Sequence, residues 1–263
     1  MTMRNVWHIY RREIGTFFTT PMAYVVMTLF TIIANVFFYV RTTQFVQEYA
    51  NATLMAQMRG MPPDMNFNAT ELIVAFMFYQ MGVVLLFLVP MLTMRLFAEE
   101  NQMGTIELLL TCPVRDIEVI LGKFLAALSV CAVVFAISIV YPLWLSFQTA
   151  LETGPILTGY LGLLLLASAF VGIGIFFSSI TENQIVAGAL TFATLLFLWL
   201  LAALVQTNTV ESGLTEFLSS ASIILRFQNF AQGVVNLGDA LYYLSVTGFA
   251  LFLTVNVLDS KVH

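Results

Sequence analysis

Apolar runs of membrane-crossing length recur along the whole chain, separated by polar breaks. They fall at about 22–40, 72–94, 124–148, 156–177, 185–205 and 240–258. As helices rising 1.5 Å per residue, each is long enough to cross roughly 30 Å of hydrocarbon, straight or tilted. Pro90 interrupts the second run and Tyr141–Pro142 lies in the third. "ETGP" at 152–155 and "SSITENQ" at 178–184 read as short turns. A polar connection carrying Pro62 and Pro63 follows the first run, and a polar-to-amphipathic segment fills 206–238. Ahead of the first run, residues 5–18 read "NVWHIYRREIGTFF". At 100° per residue, Val6, Trp7, Ile9, Tyr10, Ile14, Phe17 and Phe18 share one half of a helix, and His8, Arg11, Arg12 and Thr16 share the other. Glu13 is the one misfit. The pattern predicts a helix lying in the membrane interface, with Trp7 and its neighbours sunk and Arg11 and Arg12 toward anionic headgroups. A helix packed on a soluble partner is the alternative.

Composition narrows the class. The chain is 60% hydrophobic and 10% charged, against about 25% charged in soluble domains, so it reads as an all-α polytopic membrane protein. Six crossings put both termini on one side. With the N-terminus cytoplasmic, that face carries Arg4, Arg11, Arg12, Arg95, Arg115, Lys123 and Lys261, and the other carries only Arg41, Arg59 and Arg226. The bias predicts both termini inside. No cleavage site ends the first run, which is expected to stay as an anchor.

Several chemistries find no support. Ten basic residues without a cluster leave no footprint for nucleic acid. Cys112 and Cys131 show neither disulfide nor metal-ligand spacing, and His8 and His263, both near the termini, are the only histidines. No G-x-x-x-x-G-K-[ST] cradle for phosphate occurs. Ser138, Ser168 and Thr194 read as packing or backbone-bonded hydroxyls. Asn35 and Gln80 are the notable polar side chains within the spans; either could line a path, and an interhelical hydrogen bond is the expectation for each. An ion-coupled secondary transporter would place ionisable groups near mid-membrane, and the spans hold almost none. That reading stays open as an alternative, as does a non-transporting anchor or mechanotransmitter.

The exception to this scarcity of charge is "RLFAEENQMGTIELLLTCPVRDIEVILGK", residues 95–123, with eight charged side chains. As a span it would be untenable, because each central charge costs about 2.5–3.5 kcal/mol and each large aliphatic returns only about 0.3–0.6. It therefore reads as a cytoplasmic connection of short helices divided at Gly104 and stopped by Pro113. Glu99, Glu100 and Glu107 beside Ile106, Leu108, Leu109 and Leu110 offer carboxylates around an apolar knob, a surface for a soluble partner. Two readings stand at this point, a docking surface and an interfacial seal on the bundle.

The stretch "LTMRLFAEENQMGTIELLLTCPVRDIEVILGKFLAAL" resembles the coupling region of ABC-2 type transporter permeases, and more narrowly that of gliding-motility-associated permeases (GldF-like). The resemblance extends to "REIGTFFTTPMAYVV", "SSITENQIVAG" and "FQNFAQGVVNLGDALYYLSVTGFALFLTVNVLDSK". It implies one ABC-2 (type V exporter-like) transmembrane domain over residues 1–263: six helices, an interfacial elbow helix at 5–18, and short re-entrant helices on the outer face within 206–238. It implies that 95–123 holds the coupling helix, with Glu99, Glu100, Gly104, Thr105, Glu107, Leu108, Leu109, Thr111 and Pro113 in the motif that seats in a cytosolic ABC ATPase dimer. ATP and Mg would then be bound by that partner, with no cofactor on this chain. A second permease subunit is also implied, identical or a companion with a large extracytoplasmic domain, in a bacterial inner membrane. Asn236 stands where the resemblance leads one to expect an acid.

Overall fold

In hydrocarbon no water bonds a free N–H or C=O, so a spanning segment must satisfy its backbone internally, which a helix does. A computed structural model describes residues 3–59, 68–105, 115–206 and 222–262, and these form helices and turns with no strand. Helix α1 (Met3–Thr19) comes first, and Pro21, whose missing N–H costs nothing at a helix start, opens α2 (Pro21–Met58). A π-helical turn, Thr70–Ala75, leads into α3 (Phe76–Thr93), followed by the short α4 (Ala98–Gln102). Then come α5 (Asp116–Ser138), α6 (Val140–Ser146), α7 (Thr153–Ile180), α8 (Gln184–Gln206), α9 (Ile223–Ala231) and α10 (Leu237–Val262). Six stretches are long and apolar enough to cross a membrane: Ala23–Met58, Thr70–Gln102, Asp116–Ser146, Thr153–Ile180, Gln184–Leu201 and Leu237–Ser260.

Three boundaries differ from the sequence reading, each for a physical reason. Helix α2 does not stop near residue 40 but continues to Met58. Loss of hydropathy marks where a helix leaves lipid, whereas its end needs a breaker, and no Gly or Pro occurs between Met22 and Gly60. Helix α5 starts at Asp116 rather than 124, with Asp116 and Glu118 in the first turn where the helix dipole favours anions. Pro90 does not break α3, which runs on to Thr93 with the Met94 N–H donating to the Pro90 carbonyl at 2.9 Å.

Helix α7 is the hub. In its apolar window 72% of residues are buried, against 17% in α8, so the latter lies at the periphery. Small residues let neighbours close on α7, and hydroxyls on the spans turn back onto their own helix. Thr93 donates to the Val89 carbonyl, Thr191 to that of Ala187, Thr247 to that of Tyr243 and Thr254 to that of Ala250, all at 2.8–2.9 Å. Ser168 and Thr247 also meet, at 3.2 Å, across α7 and α10. The side chains of Asn35 and Gln80 do not follow the expected pattern, since neither hydrogen-bonds another described residue. Asn35 is exposed along a groove of about 500 Å³ lined by Phe38, Tyr39, Thr42, Tyr141 and Trp144.

The end of the bundle away from α1 is tied by polar links. Arg41 Nε donates to the Leu72 carbonyl at 2.7 Å, within the π turn. The Asn68 amide donates to Glu152 at 3.0 Å, and the Glu152 N–H donates to Thr70 Oγ1 at 3.1 Å. Of the segment at 206–238, residues 207–221 lie outside the described residues. The remainder includes α9, whose Ile223, Ile224, Phe227 and Phe230 are buried. Arg226 pairs with Asp239 at 2.7 Å, the Asn229 amide donates to Asp239 at 2.8 Å, and the Tyr243 hydroxyl donates to the Ile223 carbonyl at 2.6 Å. Asn236 accepts from the Gly238 N–H at 3.0 Å, so it shapes the start of α10, and the acid in this region is Asp239.

Helices α3 and α7 approach closely at Gly174, where an added Cβ would lie 2.2 Å from Thr93 Oγ1. Gly174→Ala should therefore cost about 1–3 kcal/mol through overpacking, seen as a lower unfolding temperature in detergent.

Candidate functional site

The described parts of the charged stretch, 95–105 and 115–123, sit at the end of the bundle where α1 lies, and several of their charges turn inward. Lys123, in the third turn of α5, is only 1% exposed. Its ammonium donates to Glu13 Oε1 at 3.2 Å, to Glu100 Oε1 at 2.9 Å and to the Leu96 carbonyl at 2.6 Å, and it lies 5.0 Å from the centre of the Phe97 ring. A Lys ammonium has three protons, so these acceptors use all of them. Arg12 Nη2 reaches the same two carboxylate oxygens, at 2.6 Å for Glu13 and 3.3 Å for Glu100. Burial alone lowers the Arg12 pKa, but the hydrogen bond and charge of Glu13, followed by those of Glu100, raise it overall.

The result is a closed ring of alternating charge: Arg12, Glu13, Lys123, Glu100. It is electrically neutral, which lets it sit at a membrane boundary, and it brings α1, α4 and α5 to one point. Glu13, the misfit on the apolar half of α1, is explained by it. The second oxygen of Glu100 is enclosed with no hydrogen-bond partner in this structure.

Helix α1 lies against α5 along most of its length. The Asn5 amide donates to Glu118 at 2.9 Å, and Tyr10 and Ser129 hydroxyls meet at 3.1 Å. Between them, Gly122 leaves room for Ile9, whose Cγ2 would be 2.6 Å from an added Cβ. The outer side of α1 carries Arg11, exposed, and Trp7, 59% exposed and stacked on Tyr10 at 5.2 Å. Trp7 thus projects away from the protein, and Arg12 is drawn into the ring rather than standing free on the polar half.

Helix α4 is held on its other side by α7. Ser178, fully buried, accepts from the Phe97 and Ala98 N–H groups at 3.0 and 3.1 Å, and its hydroxyl lies 3.2 Å from the Met94 carbonyl. A side chain from α7 thereby caps the start of α4, the role usually played by a residue of the same helix. The Asn101 amide donates to the Ser179 and Thr181 carbonyls at 3.2 and 3.1 Å, using acceptors freed at the C-terminus of α7. Helix α4 ends at Gly104, φ 67°, with the Thr105 N–H donating to the Glu100 carbonyl at 3.0 Å and the Gly104 N–H to that of Asn101 at 3.2 Å. This is a Schellman stop, which favours glycine at the left-handed position.

The residues singled out in the sequence are thus distributed. Glu99 pairs with Arg95 one turn earlier at 3.2 Å, Glu100 belongs to the ring, and Gly104 and Thr105 form the stop after α4. Glu107, Leu108, Leu109, Thr111 and Pro113 lie outside the described residues. Sequence reasoning missed Glu13, Lys123, Asn101 and Ser178. For the first two a signal existed, an acid on an apolar helix face and a base two turns into a helix bound for the membrane. Asn101 and Ser178 gave none, because they act on backbone atoms of a distant segment.

A bundle with six helices long and apolar enough to cross a membrane is the architecture of a multi-pass membrane protein. Comparison with protein families matches residues 7–258 to the ABC-2 family transporter proteins. The chain belongs to that family, and is thereby a multi-pass membrane subunit of an ABC transporter, of the kind that lacks an ATPase of its own and works with an ABC ATPase. No curated protein matches it.

Ser178→Ala should leave two backbone N–H groups without their acceptor at a cost of about 1–3 kcal/mol. Limited proteolysis of membranes should then cut earlier near 97–105 than in wild type.

Proposed function

We propose that this chain couples a separate cytosolic ATPase to movement of its helix bundle. An ABC ATPase dimer docks on the 95–123 segment, at the end of the bundle where α1 lies. That end faces the cytoplasm, with both termini there, as the placement of Lys and Arg favours. Glu99, Thr105, Glu107, Leu108, Leu109 and Thr111 form the docking patch, and Gly104 and Pro113 bound its helices. ATP and Mg stay on the partner. Two permease subunits face one another in a bacterial inner membrane, as a homodimer or beside a companion with a large extracytoplasmic domain. The output is export or extracytoplasmic work, the latter in keeping with the resemblance to gliding-associated permeases.

The observation that carries this reading is the family match across residues 7–258, combined with the bonds that hold residues 97–101 of the charged connection to α1, α5 and α7. A tether between α3 and α5 could be as short as the turn between α7 and α8.

Mild-detergent purification from native membranes should bring down a Walker-motif ATPase with the wild-type chain. Glu107→Lys should insert into the membrane normally and lose the ATPase. Co-elution with both proteins would move docking elsewhere, and absence of an ATPase from an otherwise intact complex would overturn the reading.

A further inference from the structure

Helix α4 is fastened on two sides by different chemistry. Toward α1 and α5 the fastening is the ring, in which Arg12 and Lys123 each bond both Glu13 and Glu100 at 2.6–3.3 Å. Toward α7 it is neutral: Asn101 donates to two carbonyls, and Ser178 receives two N–H groups. Charge-assisted bonds are roughly twice as strong as neutral ones. Separating the ring would also strand a buried ammonium away from its counter-ions, which is far costlier than releasing an amide. Asn101 and Thr181 are half-buried, so water can replace their bond when it opens, whereas the Ser178 bonds to Phe97 and Ala98 are fully buried and hold the start of α4 while its far end moves.

Stability alone does not account for the ring. A buried ion pair is often no more stabilising than apolar groups of the same shape. What directional bonds from three helices add is a fixed relative position. Apolar side chains would let α4 slip by a rotamer, whereas an ammonium with all three protons engaged does not.

On the coupling function given above, we propose that α1, α4 and the first turns of α5 move as one body in the ATP-driven cycle. The body slides against the end of α7 at the Asn101–Thr181 seam, and Lys123 is the positioning residue that makes the elbow helix travel with the docking segment. Thrust on the docking segment then enters three spans at once, α5 directly, α3 through residues 94–97 and α2 through Thr20–Pro21. The neutral seam is the surface that yields.

Two thiol cross-links separate this from a merely structural ring, made in the full permease–ATPase complex in lipid discs with Cys112→Ser and Cys131→Ala as background. Asn101→Cys with Thr181→Cys bridges the seam. Thr16→Cys with Arg95→Cys bridges α1 to the turn before α4, both residues lining one small cavity. Each pair is compared with itself before bridging by a short bismaleimide. Bridging the seam should slow ATP turnover about tenfold, and bridging the ring side should change it less than about twofold. A silent seam bridge, or equal arrest by both, overturns the proposal. Glu13→Gln with Lys123→Met keeps the ring neutral through Arg12 and Glu100, so the ATPase should still co-elute, with permease-stimulated turnover down about tenfold. Wild-type turnover in that variant makes the ring structural only. A wild-type preparation that carries no ATPase removes the coupling function itself, whatever the cross-links show.

Discussion

Hydrocarbon gives polar groups no partners, and most of the organisation of this chain follows from that single fact. Backbone groups are closed within helices, and hydroxyls on the spans bond a carbonyl one turn back. Ionised side chains are pushed to the two ends of the bundle, where they meet one another. At one end they become the ring of Arg12, Glu13, Lys123 and Glu100, and at the other the pairing of Arg226 with Asp239 and the Arg41 bond to a backbone carbonyl. Elements that cross the membrane are therefore tied together mainly where they leave it.

At the end away from α1, some links join consecutive pieces of chain, such as α9 to α10, and others tie Asn68 and Thr70 to Glu152, 84 and 82 positions away. At the α1 end they join pieces far apart in sequence: Lys123 meets Glu13 across 110 positions, and Asn101 meets Thr181 across 80. Long-range bonds of this kind make a junction rather than a turn. The short helix α4 is the centre of that junction, with its start capped by α7, its stop made by Gly104, and one acid of its single turn and a half committed to the ring.

Much of the fold was legible because hydropathy and length decide spans with little ambiguity. The apolar runs, the amphipathic α1 and the charged connection all come from local pattern. The ends of α2 and α5 did not, since hydropathy reports the surrounding solvent and not the hydrogen-bonding state of the backbone. The site was half legible. Glu13 stood out as a residue on the wrong face, but nothing local could reveal that its partner was Lys123. Glu100 was recognised as part of a charged segment and read as facing a partner, whereas it faces inward. Ser178 looked like any serine in a turn, because its role depends on a backbone that arrives from residues 94–98.

Helix α2 is an unbroken rod of 38 residues, about 57 Å long, whereas hydrocarbon is roughly 30 Å thick. It begins directly after α1, at Thr20–Pro21, and is longer than an upright crossing requires. A rod of this length works as a pointer: pivoting it by about 10° at the near end sweeps the far tip through about 10 Å, given its length at 1.5 Å per residue. By geometry alone, a small change of angle at one end of such a rod becomes a displacement of several ångströms at the other.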